Sequence, residues 1–152
     1  MRLYPVGLQI RPMTDEDYRD VYRLYRQLMG VNCAVPGKVA ENNFARIFKG
    51  FINSGEREAY VATLQNNVIG FVTLYYLEVF HYCGQVVSIQ EMVVTEEFRG
   101  RGVGQALVDF VKQKASEKNC RGLEVATDMW QGGAKSFFEK CGLQGKGLMV
   151  AT

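Results

Sequence analysis

Five residues within the stretch RGRGVGQAL have the types and the spacing of an anion site. Gly100, Gly102 and Gly104 stand at alternating positions and are interleaved with Arg99 and Arg101. Glycine at every second position costs conformational entropy in a strand or a helix, which indicates a requirement for bare backbone. A glycine-rich turn that leads into a helix points several unpaired N–H groups at one place, where the helix dipole adds positive charge. The stretch therefore predicts a phosphate-binding loop, and the two arginines add permanently charged, forked donors.

Two well-known phosphate-binding loops fit this stretch poorly. A nucleoside triphosphate loop requires G-x-x-x-x-G-K-[ST], which neither this stretch nor GGAKS at 132–136 provides. A dinucleotide fingerprint requires G-x-G-x-x-G, but Gln105 follows the third glycine, which comes one residue early. Nucleoside triphosphate hydrolysis and dinucleotide-dependent oxidation are therefore disfavoured, while a tight turn without a ligand remains open.

The spacing of apolar residues predicts a mixed α/β order of elements. Helices are predicted from Thr14 to Gly30 and over 39–51, 103–118 and 134–141. Strands are predicted over 8–11, 59–64, 68–77, 86–95, 123–127 and 148–151. The glycine loop thus joins the fourth strand to the third helix.

Length, composition and charge limit the classes of function. The chain has 152 residues, 47% hydrophobic and 22% charged, which is typical of a single globular domain over 1–152. The net charge is only +2, and basic and acidic residues are interspersed, so nucleic acid and membrane surfaces are not expected partners. The sequence contains no apolar run typical of a signal peptide or a transmembrane span, so we expect a cytoplasmic location.

The cysteines show neither a metal-binding nor a disulfide pattern. Cys33, Cys83, Cys120 and Cys141 are irregularly spaced without a C-x-x-C pair. We interpret all four as reduced thiols and expect no metal site. The only histidine, His81, is close to Cys83 in sequence, which does not establish a nucleophile and its base.

Two blocks of sequence resemble the GNAT acetyltransferase superfamily. In IQEMVVTEEFRGRGVGQAL, the residues Arg99, Gly102 and Gly104 match that family's acetyl-CoA loop, [RQ]-x-x-G-x-[GA]. The block AKSFFEKCGL at 134–143 is similar to the family's later A-x-x-[FL]-Y-E-K-x-G-F signature. The resemblance implies a GNAT-like α/β fold, with a central mixed, mostly antiparallel sheet of about six to seven strands flanked by about four helices.

The same resemblance implies an activity. It is N-acetylation of the primary amine of a small molecule by acetyl-CoA, through direct attack in a ternary complex. The strand GQVVSIQEMVV resembles that of small-amine acetyltransferases, including aminoalkylphosphonate N-acetyltransferases. Dimers are common among such proteins, so a homodimer is one expected assembly.

The resemblance also assigns residues to the cosubstrate. The strand before the loop is splayed from its neighbour by a bulge in such proteins, and its backbone pairs with the pantetheine arm. The corresponding residues are Met92, Val93 and Val94, with the Met92 N–H placed to polarise the thioester carbonyl. The pyrophosphate is expected on the backbone of the loop residues Arg99, Gly100, Arg101, Gly102, Val103, Gly104 and Gln105. Gln131 stands where relatives often have an asparagine that touches the cofactor.

The acceptor amine needs a base. An alkyl ammonium has a pKa of about 10.4, so it must lose a proton before it can attack a thioester. Glu91, eight residues before Arg99, is the first candidate, acting directly or through water, although it could equally face solvent or form a salt bridge. His81 is the alternative base because its ordinary pKa is near neutrality. Asp128, an acid near the expected cleft, is a third candidate.

One position departs from the family pattern. The second block usually carries a tyrosine that hydrogen-bonds the departing sulfur, and this chain has Phe138 there. A non-catalytic acyl-CoA-binding or regulatory module is therefore the alternative function. The segments expected to wall the acceptor site carry Asn32, Lys38 and Lys146, which favours an amine with its own acidic group, unless these lysines are solvated surface.

Overall fold

The computed structural model describes residues 4–29, 37–126, 132–143 and 148–150. Its strands are β1 (Gln9–Pro12), β2 (Arg57–Leu64), β3 (Asn67–Val79), β4 (Gly84–Val94), β5 (Gly122–Val125) and β6 (Leu148–Val150). Its helices are α1 (Tyr18–Met29), α2 (Gly37–Ile52), α3 (Val103–Glu117) and α4 (Gly132–Lys140). Within these ranges the predicted order of elements is confirmed, and most of the boundaries differ by one or two residues.

The six strands of the described ranges form one mixed sheet. Their order across the sheet is the same as their order in the chain. All neighbouring pairs are antiparallel except β4 and β5, which run parallel because α3 crosses over between them. The GNAT-like mixed, mostly antiparallel sheet with four helices is therefore confirmed for the described chain.

Helices cover both faces of the sheet. One face packs against α3 and α4 around buried residues such as Val72, Leu107 and Phe138. The other face packs against α1 and α2, and its core includes Leu24 and Phe48. The strands β2, β3 and β4 therefore send alternate side chains into two separate cores.

An irregularity in β4 changes which side chains point to which core. Thr73 of β3 lies opposite Glu91, but the next residue, Leu74, lies opposite Ile89, so Gln90 is an extra residue in β4. Such a bulge shifts the alternation by one residue. Ile89 belongs to the core under α3 and α4, and Val93 belongs to the core under α1 and α2. Glu91, two residues before Val93, consequently points to the α1 and α2 face, whereas in a regular strand it would share the face of Ile89.

Candidate active site

The sheet opens beside the end of β4. The pairing of β4 with β5 runs from Val86 opposite Gly122 to Ile89 opposite Val125. It closes with the Ala126 N–H, which donates to the Ile89 carbonyl at 2.8 Å. Beyond that point the described part of the chain pairs β4 only with β3. The bulge at Gln90 therefore coincides with the place where β4 and β5 part.

Alternation along β4 decides which backbone groups face this opening. The Thr95 N–H donates to the Ile69 carbonyl of β3 at 2.8 Å. Hydrogen-bonded and non-hydrogen-bonded pairs alternate in an antiparallel ladder, so Val93, opposite Phe71, also bonds to β3. Met92 and Val94 are at non-hydrogen-bonded positions of this ladder. Their N–H and C=O groups therefore point away from β3 and towards the opening. Two of the three strand residues predicted to meet the pantetheine arm thus present backbone there, and Val93 presents none.

The glycine loop turns β4 into α3 through two left-handed residues. Gly100 has φ = 78° and Gly102 has φ = 87°, a region that other residues rarely adopt. Gly102 caps α3, and its carbonyl accepts the Ala106 N–H at 3.0 Å. The N–H groups that precede Ala106 in the first turn have no intrahelical acceptor, as at every helix start. They form the expected anion-binding end of a 15-residue helix.

Gly104 lies at a close contact between α3 and α4. A Cβ on Gly104 would lie 3.1 Å from Cζ and 3.4 Å from Cε1 of Phe137 in α4. Its missing side chain therefore lets α4 approach the first turn of α3, which is a reason for glycine in addition to the bare backbone predicted for a phosphate. At Gly100, in contrast, a Cβ would meet no atom within 4 Å, so only the backbone conformation requires glycine.

The two arginines of the loop are held differently. Arg99 donates from Nε to the Val94 carbonyl at 3.1 Å, which ties the loop back to the end of β4. The Arg101 guanidinium lies 5.2 Å from the centre of the Phe98 ring, a cation–π distance. Both side chains are exposed, so their charges face solvent beside the start of α3.

The Glu91 carboxylate is half-buried and is held by one neighbour. Thr73 donates from Oγ1 to Glu91 Oε1 at 2.6 Å, and Thr73 Oγ1 in turn accepts the Glu91 N–H at 3.0 Å. Burial raises the pKa of Glu91, and the hydrogen bond from Thr73 offsets part of that rise. No arginine, lysine or histidine of the described chain affects this pKa. The group is thus a carboxylate without a cationic partner among the described residues, next to the opening beside β4.

Further polar side chains lie on the same face of the sheet. Ser88 is buried, and its Oγ accepts a hydrogen bond from Gln90 Nε2 at 2.9 Å. Glu124 of β5 stands opposite Ser88, on the face away from the core that holds Leu123 and Val125. The sequence gives no sign of this grouping or of Thr73, because both depend on strand register.

His81 is separated from these residues, which corrects its assignment as the alternative base. It is exposed in the turn Phe80–Tyr82 between β3 and β4. Its ring packs edge-on against the Tyr82 ring, with 5.0 Å between the two ring centres. β4 begins at Gly84, seven residues before Glu91, and a strand rises about 3.3 Å per residue. The turn therefore lies at the far end of β4, roughly 20 Å from the Glu91 carboxylate.

Several predicted residues lie outside the described part of the chain. They are Asn32, Cys33, Asp128, Gln131 and Lys146. Lys38 is described and exposed in the first turn of α2.

Phe138 is a core residue with 1% of its surface exposed. Its side chain has no proton to donate and does not face solvent.

Among the described cysteines no disulfide is formed, Cys83 being exposed and Cys120 and Cys141 buried. The described residues contain no cluster of three or more potential metal ligands. In the same ranges, no helix combines the length and the apolar character that crossing a membrane would take.

Comparisons with known proteins agree with this arrangement. The sequence model of the acetyltransferase (GNAT) family matches residues 16–143. A glucosamine 6-phosphate N-acetyltransferase of Arabidopsis thaliana is 22% identical over 130 residues, 82% of this chain and 84% of the relative. A D-amino-acid N-acetyltransferase of Saccharomyces cerevisiae is 27% identical over 132 residues, 86% of this chain and 80% of the relative. An aminoglycoside N-acetyltransferase solved in complex with CoA superposes with a TM-score of 0.76 at 20% identity, over 94% of this chain and 93% of that chain.

The match over most of the chain shows that it belongs to the GNAT acetyltransferase family. It is accordingly an acyltransferase that uses acetyl-CoA as its cosubstrate. The opening beside β4 and the left-handed glycines before α3 fit an extended arm followed by a pyrophosphate. The opening presents the Met92 backbone and the Val94 N–H, which do not bond to β3, and the loop leads to the N–H groups at the start of α3 that have no intrahelical acceptor.

Proposed function

We propose that this protein acetylates the primary amine of a small molecule by direct attack in a ternary complex, with Glu91 as the base. The observation that carries the proposal is the half-buried carboxylate of Glu91, without a cationic partner among the described residues, beside the opening of the sheet. An ammonium group that entered this opening would supply the missing positive charge.

The described backbone supports a position for the cosubstrate. Met92 and Val94 would pair with the pantetheine arm as a further strand would, and the first N–H groups of α3 would bind the pyrophosphate. The Met92 N–H would donate to the carbonyl oxygen of the thioester and stabilise the negative charge that develops there. Acetyl-CoA itself supplies an activated acetyl group whose leaving thiol has an ordinary pKa of about 8.5.

Glu91 would prepare the acceptor for attack. The acceptor ammonium gives one proton to the Glu91 carboxylate, directly or through a water, and its freed lone pair forms the bond to the acetyl carbon. The carbon–sulfur bond breaks, and the thiolate leaves without help from Phe138. The nitrogen then loses its second proton through solvent to the departing sulfur, which gives the amide and the CoA thiol, and Glu91 returns its own proton to solvent. Burial raises the pKa of Glu91, which brings it nearer to neutral pH and makes it a stronger base than an exposed carboxylate.

The names of two relatives support an acceptor that carries an acidic group. Glucosamine 6-phosphate and a D-amino acid each combine an amine with a phosphate or a carboxylate. Lys38 and Lys146 are basic residues of the segments expected to wall the acceptor site. A cytoplasmic location, where thiols stay reduced, accords with the described cysteines, which form no disulfide with one another.

The test is release of CoA thiol from acetyl-CoA in the presence of a panel of amines. The panel contains glucosamine 6-phosphate, D- and L-amino acids, aminoalkylphosphonates, an aminoglycoside and a polyamine. We expect turnover with an acidic amine and none with the polyamine. The exposed thiol of Cys83 gives a background independent of the acceptor, which is subtracted. Binding of CoA without turnover across the panel would contradict the proposal and favour a non-catalytic acyl-CoA-binding module.

The role of Glu91 is tested with Glu91→Gln in the same assay. We expect kcat to fall by about 10²- to 10⁴-fold, the usual contribution of a general base, with unchanged affinity for CoA. Glu78→Gln is the matched control, because Glu78 is an exposed glutamate near the far end of β3. Full activity of Glu91→Gln would exclude this residue as the base.

A further inference from the structure

We propose that Thr73 of β3 is a positioning residue that fixes the Glu91 carboxylate, so that Oε2 is the oxygen that receives the acceptor's proton. The inference rests on the proposed function, because it takes Glu91 to be the base.

The two residues form a closed pair of hydrogen bonds. Thr73 Oγ1 accepts the Glu91 N–H at 3.0 Å and donates its own hydrogen to Glu91 Oε1 at 2.6 Å. A hydroxyl has a single hydrogen, so its donor capacity is fully used by Oε1. Oε2 has no hydrogen-bond partner in the described ranges, and it is therefore the oxygen left to meet a ligand.

The bulge in β4 is what creates this pair. With Gln90 as an extra residue, Glu91 comes directly opposite Thr73 and on the same face of the sheet. Cross-strand partners on one face have Cβ atoms about 4.5–5.5 Å apart, which is within reach of a short hydroxyl side chain. Thr73 is 6% exposed, and its β-branched side chain has restricted rotation, so the hydroxyl is held in place by its own packing.

Among the described residues, no other group forms a hydrogen bond or an ion pair with the Glu91 carboxylate. Ser88 and Gln90 bond to each other. The titratable or charged groups that face it from neighbouring elements include Arg11 of β1 with its partner Asp17, Tyr18, Arg23 and Tyr25 of α1, Arg57 of β2, Tyr75 of β3 and Glu124 of β5. Burial raises the pKa of Glu91, and among the described residues the hydrogen bond from Thr73 lowers it by stabilising the ionised form.

Thr73→Val tests the role, because valine keeps the branched shape and removes only the hydroxyl. We expect kcat/KM for the acceptor to fall by about 10- to 100-fold, since small misplacement of a reacting group costs this much. Affinity for CoA should stay within about twofold of wild type, because the Met92 and Val94 backbone and the α3 terminus are untouched. The acidic limb of the pH profile should move to higher pH, since the carboxylate loses a bond that lowered its pKa. Thr73→Ser keeps the hydroxyl and should restore most of the activity.

The double variant separates positioning from mere stability. If Thr73 acts through Glu91, Thr73→Val should cause little further loss in a Glu91→Gln background. A full additional loss there, or an unshifted pH limb in the single variant, would overturn the inference. Activity lost by Glu91→Gln but kept by Thr73→Val would overturn the inference alone, whereas activity kept by Glu91→Gln would overturn the proposed base. If Thr73→Val does not fold, Thr73→Ala replaces it, because alanine removes the same oxygen. The expected and the contradicting results for kcat/KM, CoA affinity and the pH profile are then the same.

Discussion

Gly104→Ala tests how α4 positions the first turn of α3. The new Cβ would lie 3.1 Å from Phe137 Cζ and 3.4 Å from Cε1. Both distances are shorter than the separation of about 3.5–4.0 Å at which carbon atoms attract best. Overpacking of this kind costs about 1–3 kcal/mol, while alanine in place of glycine stabilises a helix interior by about 1 kcal/mol. We therefore expect Gly104→Ala to lower the free energy of unfolding by up to about 2 kcal/mol.

The same change should behave differently when the ring is absent. Phe137→Leu removes the ring atoms that Cβ would meet, so Gly104→Ala in that background should be neutral or stabilising by up to about 1 kcal/mol. The assay is urea unfolding of all four members of the double-mutant cycle, followed by circular dichroism. Gly100→Ala is the control, because it is strained by φ = 78° but has no atom within 4 Å, and its cost should be equal in both backgrounds. Equal destabilisation by Gly104→Ala in both backgrounds would refute the packing argument.

Two further predictions concern groups outside the active site. Burial raises the pKa of Glu58, but hydrogen bonds from Lys118, Tyr76 and Tyr60 outweigh it and hold the pKa below its usual value. Folding thus favours the ionised form of Glu58, and this preference adds to the free energy of unfolding. The contribution is fully present above the ordinary carboxyl pKa of about 4.3, and it is lost as the pH falls through the lower pKa that Glu58 has in the folded protein. Urea unfolding from pH 6 to pH 3 should show a steeper loss for wild type than for Glu58→Gln, and parallel curves would contradict this. His81→Ala should leave kcat/KM and its pH profile unchanged, because the exposed turn that holds His81 is far from Glu91. If the variant instead lost one limb of the pH profile, His81 would again be a candidate base.

The sequence predicted those features that depend on neighbouring residues. The loop from β4 to α3 and the hairpin of β2 and β3 are visible as glycines or asparagines between apolar runs, and Gln65 and Asn66 adopt the left-handed conformation that such a tight hairpin turn uses. The GNAT-like sheet followed from the resemblance of the two sequence blocks.

Features that depend on register or on tertiary contact were not predictable in this way. Thr73 and Glu91 are 18 residues apart and meet only because Gln90 is bulged out of the ladder. The close contact of Gly104 with Phe137, 33 residues later, could not be seen in the local pattern, which suggested only a phosphate. The position of His81 could have been predicted, because FHYC stands between two strand-like runs and therefore marks the far turn of a hairpin.

We propose that the cosubstrate lies along the end of β4 and on the start of α3. Titration of the ¹⁵N-labelled protein with CoA, followed by amide chemical shifts, tests it directly. The largest shifts are predicted at Met92 and Val94 and at the loop amides from Gly100 to Gln105, with little change in the turn Phe80–Tyr82. Shifts centred on that turn or on the β1 edge, or none at saturating CoA, would contradict the account.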